Sequence, residues 1–247
     1  MVGILSDIGL SRKLNEDYVG TYEDDLKKVY IIADGMGGHN AGEIASKIAV
    51  DSTINYIKNL REFDDPETIL CEAIKSANID IYNESQENSS MTGMGTTITA
   101  CLIIKDRLLI ANVGDSSCFI VKPNNITKIT KDHSLVQQLV DSGSITEEEA
   151  VNHPNKNIIT RALGTNISVD VDLFAIDIKD ILKVILCTDG LTNVVGKHEI
   201  YDIIIKNNNK DACSQLVELS KMKGSKDNIS VIIFEGECEN VSRDYTE

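Results

Sequence analysis

The chain has 247 residues, 42% of them hydrophobic, and 39 acidic against 24 basic side chains give a formal net charge of −15. This length supports one sizeable core, and the charge excludes broad nucleic-acid binding, which depends on neutralising phosphates. No apolar run approaches the roughly 20 residues of a membrane span, and the opening stretch Met1 to Asp7 lacks the basic region and apolar core of a signal peptide, so a cytoplasmic protein without membrane insertion is expected.

In chain order, residues 2–8 and 29–34 read as strands. Two helices follow. In the first, Ile44, Ala45, Ile48, Ala49 and Ile57 return to one face, with Asn40 as N-cap and Glu43 three residues on. The second opens with Asp65-Pro66, a cap followed by proline at the first helical position, carries Ile69, Ala73, Ile74, Ala77 and Ile81 as its stripe, and ends in the polar stretch 83–90. Residues 96–104, 107–114 and 116–121 read as consecutive strands, the first two joined by a Lys105-Asp106 turn, and their tight connections imply antiparallel pairing. Residues 132–160 are polar, partly helical and rich in asparagine, and read as a surface flap. Strands are expected over 169–177, 183–188 and 228–234, with helices over 197–206 and 210–222. Residues 237–247 form a polar tail. Blocks of antiparallel strands and of helices favour an α+β layered domain over residues 1–236 rather than a Rossmann-like sheet.

None of the six cysteines lies in a Cys-x-x-Cys pair; Cys101, Cys118 and Cys187 sit in apolar runs and read as reduced core residues. The chemistry lies in the acids. In the run Ile31-Ile32-Ala33-Asp34-Gly35-Met36-Gly37-Gly38-His39 an apolar strand ends in a carboxylate and a glycine-dense turn. Asn112-Val113-Gly114-Asp115 and Leu186-Cys187-Thr188-Asp189-Gly190 repeat the event, and Lys226-Asp227-Asn228 precedes the apolar run Ile229 to Phe234. An acid at the end of a buried strand is costly unless cations or hydrogen bonds satisfy it. Acids converging without Cys or His partners suit hard cations such as Mg2+ or Mn2+. Asp34 and Asp189 also fit turn or capping residues, and Asp115 reads equally as a strand-end turn residue. Gly35, Gly37 and Gly38 permit positive φ and close backbone approach. His133, His153 and His198 read as surface or loop residues.

Seven segments occur in order along the chain: Arg12-Lys13-Leu14-Asn15-Glu16-Asp17, Ala33 to His39, Gly93-Met94-Gly95-Thr96-Thr97, Gly114-Asp115-Ser116-Ser117, Thr160-Arg161-Ala162-Leu163-Gly164, Thr188-Asp189-Gly190-Leu191 and Lys226-Asp227-Asn228-Ile229. This ordered set resembles the metal-dependent serine/threonine protein phosphatases of type 2C, the PPM family, in their bacterial single-domain form. The resemblance implies a four-layer α/β/β/α sandwich with two central antiparallel sheets and a flap. It implies two Mn2+ or Mg2+ ions bridged by Asp34, one also held by the Gly35 carbonyl and the other by Asp189 and Asp227, and a third, weaker ion between Asp115 and Asp189. A hydroxide shared by the two ions would attack phosphorus in line. Arg12 would clamp the phosphate, and Glu16, Asp17 and Asn228 would support the ions from behind. Where eukaryotic relatives carry a histidine after Asp-Gly this chain has Met36. His39 is then a candidate general acid, or equally a residue that caps or packs at the next helix. Thr160 and Arg161 are expected to be structural.

The implied partners are phosphorylated proteins, among them a serine/threonine kinase, with the enzyme a monomer. Two rivals are a phosphatase narrow for one regulatory protein and a pseudophosphatase that keeps the fold as a binding module. The presence of Asp34, Asp189 and Asp227 argues against the latter.

Overall fold

The computed structural model describes residues 1–37, 41–62 and 64–237. The strands are β1 (Gly3–Asp7), β2 (Asp17–Glu23), β3 (Lys28–Met36), β4 (Gly95–Thr96), β5 (Ile98–Ile104), β6 (Arg107–Val113), β7 (Ser117–Lys122), β8 (Asn125–Lys128), β9 (Asp172–Asp177), β10 (Lys183–Cys187) and β11 (Ile229–Glu235). The α-helices are α1 (Ala41–Lys58), α2 (Pro66–Glu87), α3 (Leu135–Asp141), α4 (Glu147–Val151), α5 (Asp189–Thr192), α6 (Lys197–Lys206) and α7 (Asn209–Met222). One sheet runs β1-β11-β10-β7-β8; the other runs β2-β3-β5-β6-β9, with β4 pairing with β3.

Period-2 alternation builds both sheets, because successive side chains point to opposite faces. On β3, Val29, Ile31 and Ala33 face α1 and α2, while Tyr30 and Ile32 face the other sheet. On β11, Ile229, Val231 and Ile233 pack under α6 and α7, while Ile232 and Phe234 point inward to the seam. Strands buried on both faces read as near-continuous apolar runs, as β5 does. Three layers of apolar contact result: helices on the second sheet, sheet on sheet, and helices on the first sheet. The Tyr30 and Phe234 rings stack across the seam with centroids 4.0 Å apart and planes 16° from parallel. This is the four-layer α/β/β/α sandwich expected from the resemblance.

Local signals account for the element ends. Asp65 accepts from the Thr68 N–H at 3.3 Å and caps α2 ahead of Pro66. Lys105 takes φ 52 in the β5–β6 hairpin turn. The helix α2 continues through Asn83 to Glu87 rather than stopping at the polar stretch. A second difference concerns β6 and β7. Their short connection does not make a hairpin: β6 pairs with β5 and β9, whereas β7 pairs with β10 and β8. The chain changes sheets at Gly114-Asp115, which places that acid at the seam. Asn40 and the tail beyond Glu237 lie outside the described residues.

Candidate metal centre

The site forms at one end of the sandwich, where strand ends of both sheets meet. Asp34, near the end of β3, pairs in register with Asp17 at the start of β2. Its backbone is fixed by β4 and the residue after it. The Asp34 N–H donates to Thr97 Oγ1 at 2.9 Å, and its carbonyl accepts from the Thr97 N–H and Thr96 Oγ1, both at 2.9 Å. Gly35 donates its N–H to the Glu16 carbonyl at 3.1 Å. A Cβ at Gly35 would lie 2.0 Å from the Gly42 carbonyl oxygen. The glycine is therefore required by close approach within an ordinary strand, not by a left-handed backbone.

The other sheet supplies the opposite wall. Asp189 follows β10 and its Oδ2 accepts from Asn193 Nδ2 at 2.9 Å. Thr188 Oγ1 and Ser230 Oγ, on β10's end and β11, donate across the seam to Asp17 Oδ2 at 2.9 and 2.6 Å. Asp227 accepts from Arg12 Nη2 at 2.8 Å, and Arg12 Nη1 lies 3.6 Å from Glu16 Oε2. Asn228 organises the Arg12 loop. Its Oδ1 accepts from the Glu16 N–H, and its Nδ2 donates to the carbonyls of Ile8 and Leu14, all at 2.9 Å.

Asp115 closes the arrangement from the sheet-changing turn. Gly114 has φ 108, and a Cβ there would meet Thr97 Cγ2 at 2.5 Å, so this turn tolerates only glycine.

The electrostatics are those of a site short of positive charge. Asp34 keeps partial access to solvent, yet loss of hydration, followed by the charges of Asp17, Asp189, Asp115 and Asp227, pushes its carboxyl well above the ordinary range. Burial pushes Asp17 up to about 7, Asp189 and Asp227 act in the same direction, and the Ser230 and Thr188 hydroxyls oppose it. Burial, then Asp189 and Asp132, push Asp115 to about 7. Burial, then Asp227, push Asp189 to about 6. Glu16 is also raised, first by burial, with Arg12 opposing. One buried oxygen on each of Asp17, Asp115 and Asp189 has no hydrogen-bond partner.

Buried orphan oxygens on carboxylates that repel one another call for cations, and an all-oxygen set fits Mn2+ or Mg2+. Among the described residues, no three acid, imidazole or thiol groups close into a finished metal cage.

Of the residues singled out in the sequence, Arg12, Glu16, Asp17, Asp34, Asp189, Asp227 and Asn228 share one network, and Asp115 lies within electrostatic reach of Asp34 and Asp189. Asp17 is buried, at 6% exposure. Gly38 and His39 lie outside the described residues. His133 is not a surface residue; it is 8% exposed and bonded to the Gly114 turn. Thr97, Thr188 and Ser230 escaped the sequence reading. Their only signal is a hydroxyl placed within an otherwise apolar strand or at its end.

A sequence profile described as Protein phosphatase 2C matches residues 11–218. The serine/threonine phosphatase stp of Listeria welshimeri is 37% identical over 244 residues, covering 97% of each chain. The crystal structure of serine/threonine phosphatase Stp1 from Staphylococcus aureus is 38% identical and superposes with a TM-score of 0.90 over 95% of this chain and 94% of that one. The catalytic domain of serine threonine protein phosphatase PstP, in complex with two manganese ions, is 32% identical and superposes with a TM-score of 0.83 over 96% of this chain and 97% of that one.

Proposed function

The chain belongs to the protein phosphatase 2C family and is a metal-dependent serine/threonine protein phosphatase, and from this premise we propose which of its residues carry the reaction. Asp34, the Gly35 carbonyl, Asp189 and Asp227 would hold two Mn2+ or Mg2+ ions, and Asp115 with Asp189 would hold a third, weaker one. The observation that supports this reading is the set of raised carboxyls and orphan oxygens around Asp34. Bound divalent cations supply the positive charge these acids lack and acidify a water for attack on phosphorus.

The chain's own groups do the positioning. Arg12, held between Asp227 and Glu16 at the edge of the cluster, presents its guanidinium to the phosphate dianion. Asp17, anchored by Thr188 and Ser230, and Glu16, anchored through Asn228, would orient the metal ligands from behind. His39, three residues beyond Met36, is retained as the candidate that protonates the leaving alcohol. Residues 1–236 act as one phosphatase domain with 132–160 as a flap over its rim, and 237–247 as a polar tail.

The substrates are phosphorylated proteins, with a serine/threonine kinase among them, a reading that rests on the resemblance to the bacterial single-domain form. Among the described residues no helix is long and apolar enough to cross a membrane. The five described cysteines are free, as suits a reducing compartment, and we place the enzyme in the cytoplasm as a monomer.

The test is hydrolysis of p-nitrophenyl phosphate and a phosphothreonine peptide. Turnover is expected with Mn2+ and is expected to vanish in excess EDTA and in Asp34→Ala. A folded, Mn2+-loaded parent that hydrolyses neither would make the chain a binding module. Removing the guanidinium should cost about 1.5–3 kcal/mol, the worth of a charge-assisted hydrogen bond, or on the order of 10- to 100-fold in kcat/KM for Arg12→Ala. Arg12→Lys should recover only part, because an ammonium cannot make the two-pronged contact. A parental kcat/KM in Arg12→Ala would remove Arg12 from phosphate binding.

A further inference from the structure

His133 has no part in the reaction proposed above, yet it is one of the most constrained polar residues of the fold. Its ring Nδ1 accepts from the Gly114 N–H at 3.0 Å, and its own N–H donates to the Gly114 carbonyl at 3.0 Å. With Nδ1 an acceptor, the ring proton sits on Nε2, which donates to Asp172 Oδ2 at 3.1 Å. Asp172 Oδ1 in turn accepts from Arg161 Nη1 at 2.5 Å, and the same nitrogen reaches the Asp170 carbonyl at 3.2 Å. The His133 carbonyl accepts from the Thr160 N–H at 2.8 Å, and the neighbouring Ser134 bridges to Ile159.

Three parts of the chain thus meet at His133: the turn that carries Asp115 and, on β9, Asp172 at its ring, and the end of the 132–160 segment at its backbone carbonyl. The turn is further pinned by Asn112, whose Nδ2 donates to the Gly114 carbonyl at 3.1 Å and the Lys131 carbonyl at 3.2 Å. The turn also packs directly on Thr97, since a Cβ at Gly114 would lie 2.5 Å from Thr97 Cγ2. A displacement at either end of the flap therefore reaches Asp115 through hydrogen bonds and not through loose packing.

We infer that His133 is a positioning residue: it sets the turn bearing Asp115 and, through Asp172 and Arg161, couples occupancy of the Asp115 metal site to the seating of the flap. The inference rests on the reading of Asp115 as a metal ligand. Coupling of this kind is reciprocal. An ion at Asp115 steadies the flap ends, and a steadied flap strengthens the ion's site.

The experiment titrates Mn2+ calorimetrically into chelator-stripped protein and follows amide hydrogen exchange of 130–134 and 158–162 with and without Mn2+. The Asp115→Asn variant should lose the weakest binding step. If its isotherm matches the parent, Asp115 holds no ion and the inference falls with that reading. In His133→Ala the same step should weaken about tenfold, as for other residues that orient metal ligands, with the tighter steps unchanged. His133→Asn keeps an oxygen near the Gly114 N–H and should recover that step, yet lose the Mn2+-dependent protection of the flap ends because the link to Asp172 is cut. An isotherm altered by Asp115→Asn but parental in His133→Ala overturns the role of His133. If His133→Ala does not fold, His133→Asn and Asp172→Asn decide by exchange: parental Mn2+-dependent protection in both overturns the coupling.

Discussion

Asp189→Asn is expected to give a folded protein whose kcat toward a phosphothreonine peptide falls by about 10²–10³-fold or more, the loss seen when a single preorganised electrostatic group is removed from an active site. The fold should tolerate the change. Asp189 Oδ2 accepts one hydrogen bond, from Asn193, and an amide oxygen can accept it too. Its other oxygen is buried and accepts no hydrogen bond that the change could break. Removing its charge also relieves repulsion felt by Asp34, Asp17 and Asp115. In EDTA near neutral pH the variant should therefore melt at or above the parent's temperature, while gaining less from Mn2+. Undiminished turnover would dissolve the metal assignment. Lost turnover accompanied by a lower melting temperature in EDTA would make Asp189 a structural residue instead.

The second large effect is on pH and metal together. Asp17 and Asp115 titrate at about 7, Asp189 at about 6, and Asp34 is raised as well, each from an ordinary value of 3.8. A carboxyl raised in the folded state holds its proton where the unfolded chain has released it. The folded state then binds more protons, so its stability falls as pH rises. The contribution is complete below about pH 4 and is lost by about pH 7. One group raised by a few units is worth on the order of a few kcal/mol. Asp7 and Asp172 work in the opposite sense. Burial would raise them, but Lys221 and the Gly9 N–H hold Asp7 low, and Arg161 and His133 hold Asp172 low. Their contribution disappears only as the pH falls below the ordinary carboxylate range. In EDTA the melting temperature should accordingly decline between about pH 4 and 7. Mn2+ should abolish the decline and release protons as it binds. Calorimetry in two buffers of different ionisation enthalpy measures that release. A flat or rising profile in EDTA, or Mn2+ binding without proton release, would contradict the electrostatic account of the site.

Asp34 and Asp189 were legible in the sequence because an apolar run ending in an acid and a glycine is a local pattern, and both lie at strand ends as that pattern implies. Asp227 was legible for the mirror reason, an acid just ahead of an apolar strand. The strand β2 was not legible. Its sequence DYVGTYE has no clean alternation, since it is an edge strand with most side chains half-buried. With the strand hidden, so was the burial of Asp17, whose partners Thr188 and Ser230 lie far away in the chain. The turn α5 and strand β8 were too short to show a period. The crossing from β6 to β7 between sheets looked like a hairpin because connection length alone does not say which sheet the next strand joins. His133 sits in a polar segment and gave no sign that Gly114, 19 residues earlier, would bury it.

The position of β11 has a consequence for the timing of synthesis. This strand lies between β1 and β10, and Gly3 pairs with Ile233. The strand β1, made first, has no β neighbour until β11 exists, and Asp227 and Asn228 arrive immediately before it. At translation rates of about 5–20 residues per second, Asp34 leaves the peptidyl-transfer centre roughly 10–40 s before Asp227 does. Through that interval the nascent chain lacks Asp227 and the Asn228 side chain that anchors the Arg12 loop. A chain that stops before β11 leaves β1 and β10 without the strand that lies between them, and is therefore expected to lack phosphatase activity, which a truncation after Lys226 would check.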